Sequence, residues 1–177
     1  MRYAQYLMTG ALLWGLTACA PKPSQEFVKS VQDEYQSVES SLNQRLSEVE
    51  TQVASLQDPF GKLKSELGKV WTDKVEKDKD LASRIQAVNE KSQQLLTEFN
   101  TAKSDISTAL TEAKSFVDGV PTQQKRDDDL KPEWEKYKNT LNEKRQSLEK
   151  VAESLTALNS EISTLTDEIK KKYAPKK

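Results

Sequence analysis

The side chains of this chain that could do covalent chemistry are few. Cys19 is the single cysteine, and the 177 residues contain no histidine. A lone thiol has no partner for a disulfide, and without histidine the Ser–His and Cys–His nucleophile systems and the usual zinc sites cannot be built. Covalent modification of its thiol is therefore the chemistry that the sequence leaves to Cys19.

The segment before Cys19 has the three parts of a secretory signal peptide. Arg2 gives a positive start, residues 6–16 form an apolar run, and Thr17 and Ala18 are small enough for a peptidase pocket. The run is shorter than the roughly 20 residues that span a bilayer. We therefore expect residues 1–18 to be a cleaved signal. An ordinary signal with a chance cysteine after the cut is the alternative.

The stretch Leu16-Thr17-Ala18-Cys19 resembles the lipobox of bacterial lipoproteins. The resemblance implies that Cys19 becomes the first residue of the mature chain and carries acyl chains, palmitate among them, through a thioether. It also implies membrane attachment without a transmembrane helix. Because Ala20 rather than aspartate follows the cysteine, the resemblance implies sorting to the outer membrane, facing the periplasm, in a Gram-negative cell.

The composition favours long helices with narrow apolar stripes or disorder. Hydrophobic residues make up 35% of the chain and the mean hydropathy is −0.79. The 27 basic and 28 acidic side chains are interspersed, which gives no electrostatic reason to bind nucleic acid or an anionic surface. Apolar residues at alternating spacings of three and four then decide for helices.

These spacings predict an all-α fold, an elongated antiparallel helical bundle or coiled coil of about three long helices. The predicted bundle covers residues 25–173, with a lipidated tether before it at 19–24 and a basic tail after it at 174–177. The helices are expected at about 25–57, 60–118 and 132–172.

The break at Asp58-Pro59 has two interpretations. Aspartate as N-cap and proline in the first turn favour a new helix after a true turn. However, the apolar stripe continues in phase through Leu56, Phe60 and Leu63, as in a kinked helix that keeps its direction.

The second boundary is clearer, because Gly119 and Pro121 end a helix. We expect a surface loop at 122–131, with Pro132 opening the last helix. The three aspartates 127–129 lack the spacing of a calcium loop, and no metal or other cofactor is expected.

Three aromatic residues have two interpretations as well. The antiparallel arrangement puts Phe116 beside Trp134, and a true turn at Pro59 would put Leu46 opposite Trp71. Phe60, Trp71 and Trp134 are then either core layers or exposed contacts for a protein partner. Narrow seams also make self-association plausible.

The chain ends Tyr173-Ala174-Pro175-Lys176-Lys177, and with its lipobox and heptads it is similar to the murein lipoprotein. That family joins peptidoglycan through a terminal lysine, which implies a link at Lys177. Pro175 and the greater length depart from the family pattern.

Two hypotheses of function follow, neither of them enzymatic. One is a lipid-anchored envelope protein that acts as a structural spacer or tether. The other is an accessory or inhibitory binding module whose helical face docks an envelope protein.

Overall fold

A computed structural model describes residues 21–173, and in this range the chain is all-α. Four α-helices, α1 to α4 in chain order, cover Gln25–Val53, Gly61–Leu67, Lys79–Gly119 and Asp127–Tyr173. Single turns of 3-10 helix lie at Ala54–Gln57 and Val120–Thr122, and a π-helical turn lies at Trp71–Val75. The predicted fold class is confirmed. The predicted signal peptide 1–18, the first two residues of the predicted tether and the predicted tail 174–177 lie outside the described residues.

Helices α3 and α4 form an antiparallel hairpin. Asp105 pairs with Lys144 at 2.8 Å, Lys91 with Glu161 at 2.7 Å, and Arg84 with Glu168 at 2.7 Å. The residue numbers of the partners on α3 therefore decrease as those on α4 increase. At the closed end of the hairpin the ring of Phe116 stacks on Trp134 with centroids 6.2 Å apart. The contact expected between these two aromatic residues is therefore confirmed.

Helix α1 lies parallel to α4, and the chain keeps this direction past Pro59. Lys138 pairs with Glu34 at 3.0 Å, Arg45 with Glu149 at 2.6 Å, and Lys170 with Glu66 at 2.9 Å. The residue numbers of the partners on α4 thus increase together with those on α1 and α2, which together form the first layer of the bundle. The true turn predicted at Asp58-Pro59 is wrong, and the alternative that keeps direction is right.

The helix nevertheless breaks at this point. Asp58 is extended, with φ −144° and ψ 82°, because the ring of a following proline disfavours the helical conformation of the residue before it. Leu56, Phe60 and Leu63 are all buried against the hairpin. Burial of the in-phase stripe keeps the direction of the layer although the backbone hydrogen bonds are interrupted.

The chain reverses between Gly68 and Asp78 instead, which divides the helix predicted over 60–118. Gly68 ends α2 with a positive φ of 50°, a conformation that glycine adopts without steric cost. Asp78 caps α3 by accepting a hydrogen bond from the backbone N–H of Leu81. Trp71 therefore packs on Phe60, with ring centroids 6.1 Å apart. The predicted contact between Leu46 and Trp71 is wrong, because it depended on a turn at Pro59 that the chain does not make.

Helix α4 begins at Asp127, earlier than the predicted start at Pro132. Asp127, Asp128 and Asp129 occupy its first turn, where negative charge is favourable to the helix dipole. Leu130 is fully buried and fixes that turn to the core. Half of the predicted loop 122–131 thus belongs to α4, and the connection between α3 and α4 is short.

The apolar stripes of the three layers meet in one core. Its buried members come from α1, from the broken segment 54–75, and from both helices of the hairpin, and the fully buried large ones are Phe60, Leu42, Leu56, Leu81, Ile106, Leu130, Leu141, Leu148, Leu155, Leu165 and Ile169. Ser92 lies among them and donates its hydroxyl hydrogen to the carbonyl oxygen of Val88. The result is a narrow three-layer bundle as long as α4.

Candidate functional site at the two ends of the bundle

The residues predicted to carry the chemistry of this chain, Cys19 and Lys177, both lie outside the described residues. The structure does describe where the chain enters and leaves the bundle, at Ser24 and Tyr173. The positions of these two residues decide what the termini can reach.

Ser24 is hydrogen-bonded to Asp127, the first residue of α4, and we call this pair of hydrogen bonds the clasp. Its backbone N–H donates to Oδ1 of Asp127 at 2.8 Å, and its hydroxyl donates to Oδ2 at 2.6 Å. Its Oγ also accepts from the N–H of Phe27 at 3.1 Å, which caps α1. The bonds from Ser24 hold the pKa of Asp127 below its ordinary value.

This clasp fixes the entry of the chain beside the α3–α4 connection. The sequence analysis missed it, because Asp127 was read only as part of an acidic loop. A pair 103 positions apart leaves no local pattern. Only the helix-capping character of Ser24 could have been recognised in advance.

The C-terminal end of α4 is fixed to the start of α3. Asp78 accepts hydrogen bonds from Lys172 Nζ and from the hydroxyl of Tyr173, the second at 2.8 Å. The bond from Lys172, followed by that from Tyr173, lowers the pKa of Asp78 to about 2. One carboxylate therefore joins the N-terminus of α3 to the C-terminus of α4.

Entry and exit lie at opposite ends of the bundle. Ser24 is bonded to the first residue of α4 and Tyr173 is its last residue, with an unbroken helix of 47 residues between them. A rise of 1.5 Å per residue puts the two ends about 70 Å apart. Any groups attached beyond Ser24 and beyond Tyr173 are therefore held apart by the length of the bundle.

The Asp78 contacts predict a pH-dependent stability. Because its pKa is lowered, the ionised carboxylate of Asp78 stabilises the fold at pH values above the ordinary pKa of aspartate. This contribution is lost as the pH falls through about 2. We expect Asp78→Asn to lower the thermal midpoint near neutral pH, with the difference from wild type shrinking as the pH approaches about 2. Asp167→Asn is the control and should follow wild type, because Asp167 is an exposed aspartate of α4 that takes part in none of the described ion pairs. A difference for Asp78→Asn that does not change with pH would contradict this role.

The three aromatic residues considered as partner contacts are in the core. The exposed fraction is 0% for Phe60, 4% for Trp71 and 2% for Trp134. The indole N–H of Trp134 donates to Glu34 at 3.0 Å and that of Trp71 donates to Glu76 at 2.8 Å, so both polar edges are satisfied. The interpretation as exposed contacts is wrong, and the alternative interpretation as core layers is right.

The rest of the described surface has no group of side chains with the composition of a metal site. Between residues 21 and 173 no three acidic side chains are grouped so that they could hold a metal ion. The groove between α1 and α4 is open and polar, and Arg45 fills part of it by donating to both carboxylate oxygens of Glu149. None of the helices in this part of the chain combines the length and apolarity needed to cross a bilayer.

Comparison with known proteins adds no relative. Neither the family models, nor the curated proteins, nor the solved structures contain a match to this chain. Its function has to be argued from its own residues and geometry.

Proposed function

We propose that this chain is a lipid-anchored envelope protein that acts as a structural spacer or tether and has no catalytic activity. Cys19 carries the acyl chains, and the bundle extends from the membrane. The observation that supports this proposal is the separation of about 70 Å between Ser24 and Tyr173, at the two ends of α4.

The anchor and the bundle are closely coupled in this proposal. Five residue steps separate Cys19 from Ser24, so the tether reaches at most about 18 Å. Pro21 and Pro23 stiffen it further. Because Ser24 is clasped to Asp127, the α3–α4 connection is the end of the bundle that faces the lipid.

Acylation supplies the binding energy for such an anchor. Each buried methylene contributes about 0.8 kcal/mol, and stable attachment takes more than one chain. Acyl chains on Cys19 then hold the protein in a membrane without a spanning helix. Because Ala20 rather than aspartate follows Cys19, the proposed location is the outer membrane, on the periplasmic side.

The bundle is built to keep its length. Its core runs without a gap from Val31 to Ile169, and ion pairs between layers recur along it, from Glu34–Lys138 to Glu66–Lys170. Bending the bundle would separate both sets of contacts. The binding-module alternative, in contrast, has lost the exposed aromatic patch that would have favoured it.

A tether needs a second attachment, and the resemblance to the murein lipoprotein suggests peptidoglycan. Lys177 follows Tyr173 by four residues, so a link there would lie at the end of the bundle away from the lipid. Digests of peptidoglycan that contain a fragment ending at Lys177 would support a covalent link. Self-association through exposed faces remains a prediction that analytical ultracentrifugation can test.

The mass of the mature N-terminal peptide tests the anchor itself. We expect protein purified from membranes to lack residues 1–18 and to begin at Cys19 with the added mass of more than one acyl chain. An N-terminal peptide that begins elsewhere, or an unmodified Cys19, would contradict the proposed function.

A further inference from the structure

At the end of the bundle that carries Tyr173, the carboxylates already contact donors within the chain. We define the distal end as residues 58–80 and 168–173. Every one of its seven acidic side chains lies within 4.0 Å of a donor within the chain, and the pairs are Asp58–Lys64, Glu66–Lys170, Asp73–Lys77, Glu76–Trp71, Asp78–Lys172, Asp80–Arg84 and Glu168–Arg84. Six of these carboxylates lie within 4.0 Å of a cationic side chain, and Glu76 is bonded to the neutral indole of Trp71. The distal end therefore has few carboxylates left to neutralise further cations.

Lysines at the same end are in excess. Nine lysines lie in the described distal end, and five of them are exposed with no described carboxylate within 4.0 Å: Lys62, Lys69, Lys74, Lys79 and Lys171. They come from α2, the reversal, the first turn of α3 and the last turn of α4. Two more lysines, Lys176 and Lys177, follow in the sequence.

The opposite end has the reverse balance. Residues 24–34 and 118–135 contain nine acidic and four basic side chains. Charges in water act over a Debye length of about 8–10 Å, which is far shorter than the bundle. The acidic end therefore does not cancel the positive distal end, and the molecule has a polar axis along its length.

We propose that the distal end is a docking surface for a carboxylate-bearing polymer. The five lysines are spread over several elements and do not converge on one point, which suits a multivalent chain of anions better than a single small anion. Exposed lysines bind as hydrated point charges, so the contact is electrostatic and sensitive to salt. This rests on the proposed function, because it gives the spacer its second attachment away from the lipid.

The experiment uses the lipidated chain in a non-ionic detergent, with poly-L-glutamate as the probe. The test variant carries Lys69→Gln, Lys74→Gln and Lys171→Gln. The matched control carries Lys29→Gln, Lys136→Gln and Lys150→Gln, three exposed lysines outside the distal end that also have no described carboxylate within 4.0 Å. Both variants lose the same net charge and no core contact.

We expect wild type and the control to bind poly-L-glutamate at low salt, and the test variant to bind about tenfold more weakly. Binding of all three should weaken as salt is added. Equal weakening of the two variants would show that net charge alone is responsible and would overturn the proposal, as would the absence of binding. Tighter binding to phosphatidylglycerol vesicles without poly-L-glutamate binding would overturn it too. None of these results touches the acylation of Cys19, which the mass of the N-terminal peptide tests separately.

Discussion

Replacing Cys19 with alanine is expected to move the whole protein from the membrane pellet to the supernatant. The described part of the chain has no helix able to cross a bilayer, and the proposed acyl chains have no other thiol to occupy. The core lies entirely beyond Ser24, so the released chain should keep the circular dichroism spectrum and the thermal midpoint of the bundle. Fractionation with washes free of detergent measures the first result.

Ser24→Ala is the control for this substitution. It leaves residues 16–19 intact and should stay in the pellet, although it removes the cap of α1 at a cost of about 1 kcal/mol. A Cys19→Ala protein that remained membrane-bound through the washes would contradict the anchor. Loss of Ser24→Ala from the pellet would show that an intact segment 16–19 is not sufficient for membrane attachment, and it would contradict the anchor as well.

Replacing Trp134 with alanine is expected to lower the free energy of unfolding by about 3–5 kcal/mol. Its side chain is 2% exposed and stacks nearly parallel on Phe116, with 4° between the ring planes. It also donates to Glu34 on α1, so the residue joins all three layers. Urea unfolding followed by circular dichroism measures the change.

Trp134→Phe separates packing from hydrogen bonding. Phenylalanine keeps most of the apolar contact and loses the donor to Glu34, for which we expect about 1–2 kcal/mol. A loss below about 1 kcal/mol for Trp134→Ala would instead match a surface residue, and the exposed-contact interpretation would have to be restored.

The repeating stripes were enough to predict the helical class and the pairing of α3 with α4. Phe116 and Trp134 were expected together because a single loop between the second and third predicted helices makes them antiparallel neighbours most simply. The apolar stripe that stays in phase through Leu56 and Phe60 also predicted correctly that the chain keeps its direction past Pro59. Two local signals competed there, and tertiary burial of the stripe outweighed the turn propensity of Asp58-Pro59.

The site of the reversal could not be read from local signals. Gly68 and the charged residues that follow it resemble a weak stretch within a long helix. The reversal is made there because Trp71 and Val75 are buried and their turn packs against α4. Similarly, a cluster such as Asp127 to Asp129 is a loop or a first turn depending on whether Leu130 reaches the core.

The functional part of the sequence was predicted only as far as its motifs extend. Cys19 and Lys177 were predicted as attachment points from sequence motifs, whereas the distance between Ser24 and Tyr173 depends on the direction of the chain after Pro59. Which lysines of the distal end remain without a carboxylate depends on the helix register, as in the pairing of Glu66 with Lys170. Such register is set by packing and leaves no trace in composition.

The height of the two bundle ends above a lipid surface tests the central claim most directly. Gln124→Cys and Lys171→Cys place a single reactive thiol at the α3–α4 connection or at the distal end, since the proposed acylation uses Cys19. Each protein is labelled with a fluorophore and reconstituted into vesicles that carry a headgroup-bound quencher. The spacer account predicts strong quenching at position 124 and none at position 171. Equal quenching at both positions would mean that the bundle lies flat on the membrane and would contradict the account.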